Sequence, residues 1–341
     1  MRPRSPTVSQ VKRANRVDVA RLAGVSTTVV SYVVNNGPRP VAEATRVRVL
    51  DAMRQLNYRP NANARALKLS RTNVIGLLVR DLTNPYFSEL ARNLQEYAHR
   101  AGYALMIGNA GHGGVEETAE LQNLLSREID GIAIYGVHRE ETLRAIMSSG
   151  ARVVSLDWHL ERTQVPSVGI DDYGAARDAV QHLLDHGYTD IGIIAGRDEG
   201  DLREAAWAEA VSDLVSGERL DELRAYSDFS LRGGYEAALQ LLDSSHRPRA
   251  IFASSDVQAL GALRALHSRG VRIPEEVAVI SIDGTEASEF AIPSLSAIQL
   301  PLDEIAKYVA DTLTSSDEAP TRHTFAHSLV RRESCGCIPP E

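Results

Sequence analysis

From residue 74 onward, short apolar runs alternate with longer amphipathic stretches, and that alternation confines the chain to one class of fold. VIGLLV (74–79) is a continuous apolar run, the mark of a strand buried on both faces. The spacing then predicts a helix at about 86–101, a strand YALMIG at 103–108, a helix at 115–127, a strand at 131–135, a helix at 140–148 and a strand at 152–156. A second round restarts at DIGIIAG (190–196), with strand 190–195, helix 203–215, strand 223–226 and helix 231–243. Strand 250–253, helix 257–269, strand 277–282, a helix near 302–314 and a last strand near 324–330 complete it. Strands alternating with helices in this way build parallel sheets covered on both faces. The stretch is too long for one open sheet of ordinary size, so two lobes are expected.

The charge is divided as sharply as the pattern. The chain of 341 residues has a net charge of −8, yet residues 1–72 hold 14 Lys/Arg against 3 Asp/Glu, a net of +11. The remaining residues hold 23 basic and 42 acidic side chains, a net of −19. A basic head on an acidic body is the electrostatic footprint of a nucleic-acid-binding module joined to something else. No apolar run approaches the roughly 20 residues that span a bilayer. The N-terminal MRPRSPTVSQVKR is charged without a following apolar stretch, so a secretory signal is not read and the cytoplasm is the expected location.

Within the head, Asn15 can cap a helix starting at Arg16, with Val17, Ala20, Leu22 and Ala23 on its apolar side and Gly24 ending it. Val25 fills the turn, and Ser26 caps a second helix, TTVVSYVVN. Val30, Val33 and Val34 are expected to face inward, leaving Thr27, Thr28, Ser31 and Tyr32 outward. Small residues at Ala20 and Gly24 allow the close crossing of a helix-turn-helix. The N-terminal end of its second helix is the part that enters the major groove. Thr27 and Thr28 suit base edges, and Ser26 and Ser31 suit phosphates; Asn15, Tyr32 and Asn35 complete the candidate DNA contacts. A third helix, about 43–57, is expected to bury Val49, Leu50, Met53 and Leu56.

These segments carry a resemblance. DVARLAGVSTTVVSYVVN, then TRVRVLDAMRQLNYRPNANARAL, then IGLLVRDLTNPYFSEL, resemble the LacI/GalR family of bacterial transcription regulators, and the likeness runs from about residue 14 to 334. It implies a hinge helix at Asn61–Lys68, capped by Asn61, with Leu67 as a wedge into the minor groove and Ala64, Arg65 and Lys68 facing DNA. Eight residues are too few for a stable isolated helix, so this one would order on DNA. Tyr32 stands where many members have Arg, Val29 where a polar residue is frequent, and Ala42 where a Ser cap is usual. The operator sequence therefore does not transfer from the family.

The resemblance also implies an α/β multidomain architecture: an all-α helix-turn-helix head, the hinge helix, and a two-lobed periplasmic-binding-protein-like body. Its expected boundaries are a disordered arm at 1–13, the head at 14–60, the hinge and linker at 61–72, the body at 73–334 and a tail at 335–341. Lobe one takes about 73–169 and 300–320, and lobe two about 170–299 and 321–334. Open α/β sheets bind ligands at the carboxyl ends of their strands. Asp81, Tyr86, Phe87, Asp157, Ser255, Asp256 and Asp283 follow such ends and are candidate effector contacts. Arg203 in REAAW matches the family's R-x-x-G-F/W with Ala206 in place of Gly, and Phe229 matches a position that is often aromatic. Gly284 replaces a familiar second Asp.

No catalytic signature (GxSxG, P-loop, HExxH) is present, so no catalytic residue and no cofactor is expected. The only cysteines are Cys335 and Cys337, which rules out a disulfide-built fold. Two thiols in a frayed tail do not close a zinc site, and the ten histidines are read as scattered, so no metal is expected. The expectation is a homodimeric repressor without a tetramer-forming heptad segment. It reads a near-palindromic operator, answers to a sugar or related metabolite held between the lobes, and has no membrane partner. The rivals are a cytoplasmic α/β enzyme or a solute-binding protein with a DNA-binding appendage.

Overall fold

Asn15 opens the first helix by accepting hydrogen bonds from the Val17 and Asp18 amides, while the Asp18 carboxylate takes the Asn15 amide in return. In this computed structural model the described residues are 14–35, 37, 39–59, 71–111, 114–136, 140–157, 165–197, 200–215, 217–315 and 320–337. They fall into two compact units, Met1–Thr72 and Asn73–Glu341. The proposed hinge residues Asn61, Ala64, Arg65, Leu67 and Lys68 lie outside the described residues.

In the first unit, α1 (Arg16–Ala23) ends at Gly24, whose φ of 64° is the left-handed conformation that glycine adopts without strain. The Ser26 hydroxyl caps α2 (Thr27–Asn35) by accepting the Val29 amide. Between Arg16–Ala23 and Thr27–Val34 the helix axis turns by 103°, the crossing of a helix-turn-helix. With α3 (Glu43–Gln55) these helices bury Val19, Ala20, Ala23, Val30, Val33, Val49 and Ala52. Three expected core positions are instead exposed: Val17, Leu22 and Leu50, at 53%, 50% and 39%. The helical period explains each. Val19, Ala20 and Ala23 form one stripe from whose centre Val17 and Leu22 each stand about 110° away, on opposite sides, and Val49, Ala52, Met53 and Leu56 share a face that Leu50 misses by about 110°. Ala42 precedes α3 without a side-chain cap.

The second unit holds two six-stranded sheets with matching strand order. The first runs β11-β5-β4-β3-β1-β2, from β1 (Val74–Val79), β2 (Ala104–Asn109), β3 (Gly131–Ile134), β4 (Arg152–Ser155), β5 (Ser167–Ile170) and β11 (Arg322–Phe325). The second runs β12-β10-β9-β8-β6-β7, from β6 (Ile191–Ala195), β7 (Arg224–Tyr226), β8 (Ala250–Ala253), β9 (Ala278–Asp283), β10 (Ser296–Gln299) and β12 (Ser328–Val330). All pairings are parallel except β10 with β12. The strand β6 holds the place in its sheet that β1 holds in the other, as the restart at residue 190 implies. Helices α4 (Pro85–Arg100), α5 (Gly114–Leu125), α6 (Glu140–Ser148) and α13 (Leu302–Thr314) serve the first lobe. Helices α7 (Asp172–Asp185), α8 (Leu202–Val211), α9 (Gly217–Glu222), α10 (Leu231–Leu242), α11 (Asp256–Ser268) and α12 (Glu286–Glu289) serve the second.

The sequence reading missed β5, α7 and β10, together with the short helices α9 and α12. The two strands have four residues each, and α7 buries mostly small residues, Gly174, Ala175, Ala176 and Ala179, which leave a faint apolar stripe. The single strand expected near 324–330 is two. Arg322–Phe325 pairs with Ser167–Ile170 in the first sheet, and Ser328–Val330 turns back against β10 in the second. The lobe boundary expected at 320/321 is thus moved past Phe325, and the chain crosses between lobes three times. Nor are the two thiols in a frayed segment: Ser334 and Cys335 are fully buried and Cys337 is half-buried. Among the described residues no single helix is long and apolar enough to cross a membrane.

Candidate functional site

Two places carry the expected contacts. In the head, the start of α2 presents Ser26 and Thr28 exposed and Thr27 half-buried. Ser31 and Tyr32 are half-buried one turn further on, Tyr32 lying against Gly37, and Asn35 ends the helix. Asn15 is exposed, but its side chain is engaged as the cap of α1. Arg16, Arg39, Arg48 and Arg59 are exposed in the same unit, while Arg21 pairs with Asp18 at 3.7 Å. In a helix-turn-helix the N-terminal end of the second helix is the part that enters the major groove, and exposed cations serve to position such a head on phosphates.

In the body, a cleft of about 430 Å³ opens where the strands of both sheets reach their carboxyl ends. Eight of the nine expected effector residues line it: Asp81, Tyr86, Phe87, Asp157, Arg203, Phe229, Ser255 and Asp283. Phe87 meets Tyr86 and Tyr135 edge to face at centroid distances of 5.0 and 4.8 Å, an aromatic wall on the first lobe. Facing groups come from the second lobe. Asp201 caps α8, and its Oδ1 accepts the Arg203 amide at 3.0 Å and the Arg203 Nε at 2.9 Å. Arg203 Nη1 also donates to the Ser254 carbonyl at 3.1 Å, and its guanidinium lies 5.1 Å from the Phe229 ring centroid. Asp201 Oδ2 is buried and has no hydrogen-bond partner among the described residues.

The electrostatics follow from burial and crowding. Burial alone would pull the Arg203 guanidinium down, but the carboxylates of Asp201 and Asp172 outweigh it and hold its pKa above the ordinary value. Burial raises Asp172, against the lowering pull of Arg203. Burial, with the charge of Asp256 beside it, pushes Asp283 well above the usual carboxylate range. Asp283 also has a φ of 123°, a left-handed conformation that side-chain-bearing residues rarely hold, and such strain gathers at ligand sites. On the first lobe Asp157 is oriented by the Gly136 amide at 2.6 Å and the Ser155 hydroxyl at 3.0 Å.

One expected contact is corrected. Asp256 is fully buried and outside the cleft. Its Oδ1 accepts the Ser281 hydroxyl at 2.6 Å, and its Oδ2 accepts the Thr285 amide and hydroxyl, each at 2.7 Å. These bonds fasten the turn after β9 to the start of α11, so Asp256 shapes the floor beneath Asp283 without facing a ligand. The sequence reading also missed Tyr135, Asp172, Arg197 and Asp201, all of which line the cleft. Tyr135 and Arg197 were within reach of the same strand-end rule. Asp172 was hidden with the unrecognised α7, and Asp201 belongs to a turn whose cap role only the fold displays.

With this geometry in place, known proteins supply the context. The profile of bacterial regulatory proteins, lacI family, matches residues 17–61, and that of a periplasmic binding protein-like domain matches residues 180–335. The HTH-type transcriptional repressor PurR of Vibrio atlanticus is 34% identical over 304 residues, spanning 87% of this chain and 90% of that protein. The ribose operon repressor of Escherichia coli is 33% identical over 317 residues, 90% of this chain and 94% of that one. The lac repressor dimer bound to operator and the anti-inducer ONPF superposes with a TM-score of 0.81 at 26% identity, covering 95% of this chain and 99% of that one.

Proposed function

The chain belongs to the lacI family of bacterial regulatory proteins and is a DNA-binding transcription regulator, and on that premise we propose that it is a dimeric repressor whose effector is a neutral polyhydroxylated molecule of the sugar class. Each head of the dimer reads one half of a near-palindromic operator, in the cytoplasm where the chromosome lies. Ser26, Thr27, Thr28, Ser31 and Tyr32 contact the groove and its phosphates. Between the lobes, Arg203, Asp81, Asp157 and Asp283 hold the effector.

The observation that carries the effector class is the makeup of the cleft. Among the described residues that line it, six Asp (81, 157, 172, 201, 228 and 283) stand against three Arg (80, 197 and 203), beside the aromatic wall. Carboxylates and an Arg fork accept and donate to vicinal hydroxyls, while a ring face covers their C–H side. The surplus of acid repels an anion. The rival enzyme reading gains no support from the hydroxyls in the cleft. Ser227 accepts from Gln258 Nε2 at 2.9 Å and Ser255 donates to Gln258 Oε1 at 3.0 Å, so neither stands beside a base.

Calorimetric titration of the full chain with neutral pentoses, hexoses and disaccharides, and with their phosphorylated forms, tests this. Heat of binding is expected from at least one neutral sugar, with its phosphate ester at least about tenfold weaker. Tighter binding of a phosphorylated sugar would overturn the assignment.

A further inference from the structure

At the opposite end of α7 from the cleft-lining Asp172, the helix and the C-terminal strap bring four groups together that are not among the cleft-lining residues. His182 and His186 are spaced i, i+4, so one face of the helix carries both, His186 standing where the helix stops. The strap reaches them through the short turn Glu333–Cys335, and Gly336, at a φ of 90°, reverses the chain so that Cys337 returns to the same side. His182 Nε2 lies 3.3 Å from Cys335 Sγ and 3.5 Å from Cys337 Sγ, and His186 Nε2 lies 3.2 Å from Cys337 Sγ. All four donor atoms fall within 4.8 Å of one another.

A tetrahedral zinc ion, with bonds of about 2.0–2.1 Å to nitrogen and about 2.3 Å to sulfur, spaces its nitrogen and sulfur ligands about 3.5 Å apart. The observed separations match that spacing. Two separate thiol–imidazole hydrogen bonds would need each ring to face one sulfur, whereas His182 Nε2 faces both. The strap is also held firmly before it reaches the cluster. Ser334 donates to the Val279 carbonyl at 2.6 Å and accepts the Ser296 amide at 2.9 Å. The Ser296 hydroxyl donates to Cys335 Sγ at 3.0 Å and accepts the Arg332 amide at 2.8 Å, the kind of outer hydrogen bonding that orients metal ligands.

We propose that His182, His186, Cys335 and Cys337 form a tetrahedral site for a thiophilic divalent metal ion, zinc by preference, that fastens the C-terminal strap to α7. Two imidazoles and two thiolates are a closed structural set for zinc and a poor one for calcium or magnesium, which require oxygen. The fastening bears on the cleft because α7 begins with Asp172 and ends with the ligand pair.

The test uses full-length, tag-free protein purified under reducing conditions and loaded with Zn²⁺ or Co²⁺ alone. One equivalent of metal per chain is expected to survive gel filtration. The Co²⁺ form is expected to show the strong visible bands of tetrahedral cobalt and thiolate-to-cobalt charge transfer in the near ultraviolet. His186→Ala and Cys337→Ser avoid the fully buried Cys335 and are expected to keep wild-type circular dichroism while losing both the metal and the bands. Three results would overturn the site: no retained metal, a weak octahedral cobalt spectrum, or unchanged metal content in both folded variants. A Cys335–Cys337 disulfide in the reduced preparation would overturn it as well.

Discussion

Arg203→Ala is expected to weaken effector binding by about 2–5 kcal/mol, roughly thirtyfold or more, while leaving effector-free operator binding as in the wild type. The size of the effect comes from what the side chain does at once. Its guanidinium neutralises Asp201, reaches the Ser254 carbonyl and covers Phe229. Removing it leaves the largely buried Asp201 carboxylate, 4% exposed at its side chain, without its cation, and takes the planar fork from the ligand. Arg203→Lys keeps the charge but loses the fork, so it is expected to recover only part of the affinity. Parallel titrations of sugar and operator DNA decide the matter. An Arg203→Ala protein that binds sugar as the wild type does would remove Arg203 from the site.

The largest expected loss of stability comes one helical turn away. Trp207 is fully buried on α8, its Nε1 donates to the Ile191 carbonyl at 2.9 Å, and Arg224 lies 5.4 Å from its ring centroid. It holds α8, and with it Arg203 and the Asp201 cap, against β6. Trp207→Ala leaves a cavity and an unpaired carbonyl, costing about 3–5 kcal/mol and lowering the melting temperature of the body by about 10 °C. Calorimetric unfolding measures it. A shift under about 2 °C would mean that α8 is anchored by other contacts.

The residues that were legible in the sequence share a property: their signal is local. The helix-turn-helix announces itself in Asn15, Gly24 and Ser26, each of which performs its cap or turn within four residues of where it stands. Most of the cleft follows from one rule about strand ends, which points to Asp81, Asp157, Ser255 and Asp283, while Arg203 and Phe229 come from the family resemblance. What escaped depends on distant partners or weak contrast. Asp256 obeys the strand-end rule, yet Ser281 and Thr285 claim its oxygens, and nothing near residue 256 says so. The crossover of β11 and β12 to different sheets is invisible in a run that reads as one strand. The four groups proposed as metal ligands lie about 150 residues apart in two pairs, and the helix carrying one pair is built on alanines too small to mark it. Leu50 is as apolar as its buried neighbours, yet its angular position on α3 carries it off the buried face, and hydrophobicity alone does not report that position.

On the function proposed above, a sugar in the cleft controls the grip of the head on DNA. The direct measurement is fluorescence anisotropy of a labelled duplex, selected from a random pool by the full-length protein, titrated with and without a cleft-binding sugar. Saturating sugar is expected to change operator affinity about tenfold, within the usual range of coupling between sites, and to do so in the wild type but not in Arg203→Ala. With the sugar absent, affinity should fall about a thousandfold or more between 50 and 200 mM salt, as the basic head requires. A wild-type protein that holds its operator equally tightly whether or not sugar occupies the cleft would contradict the account.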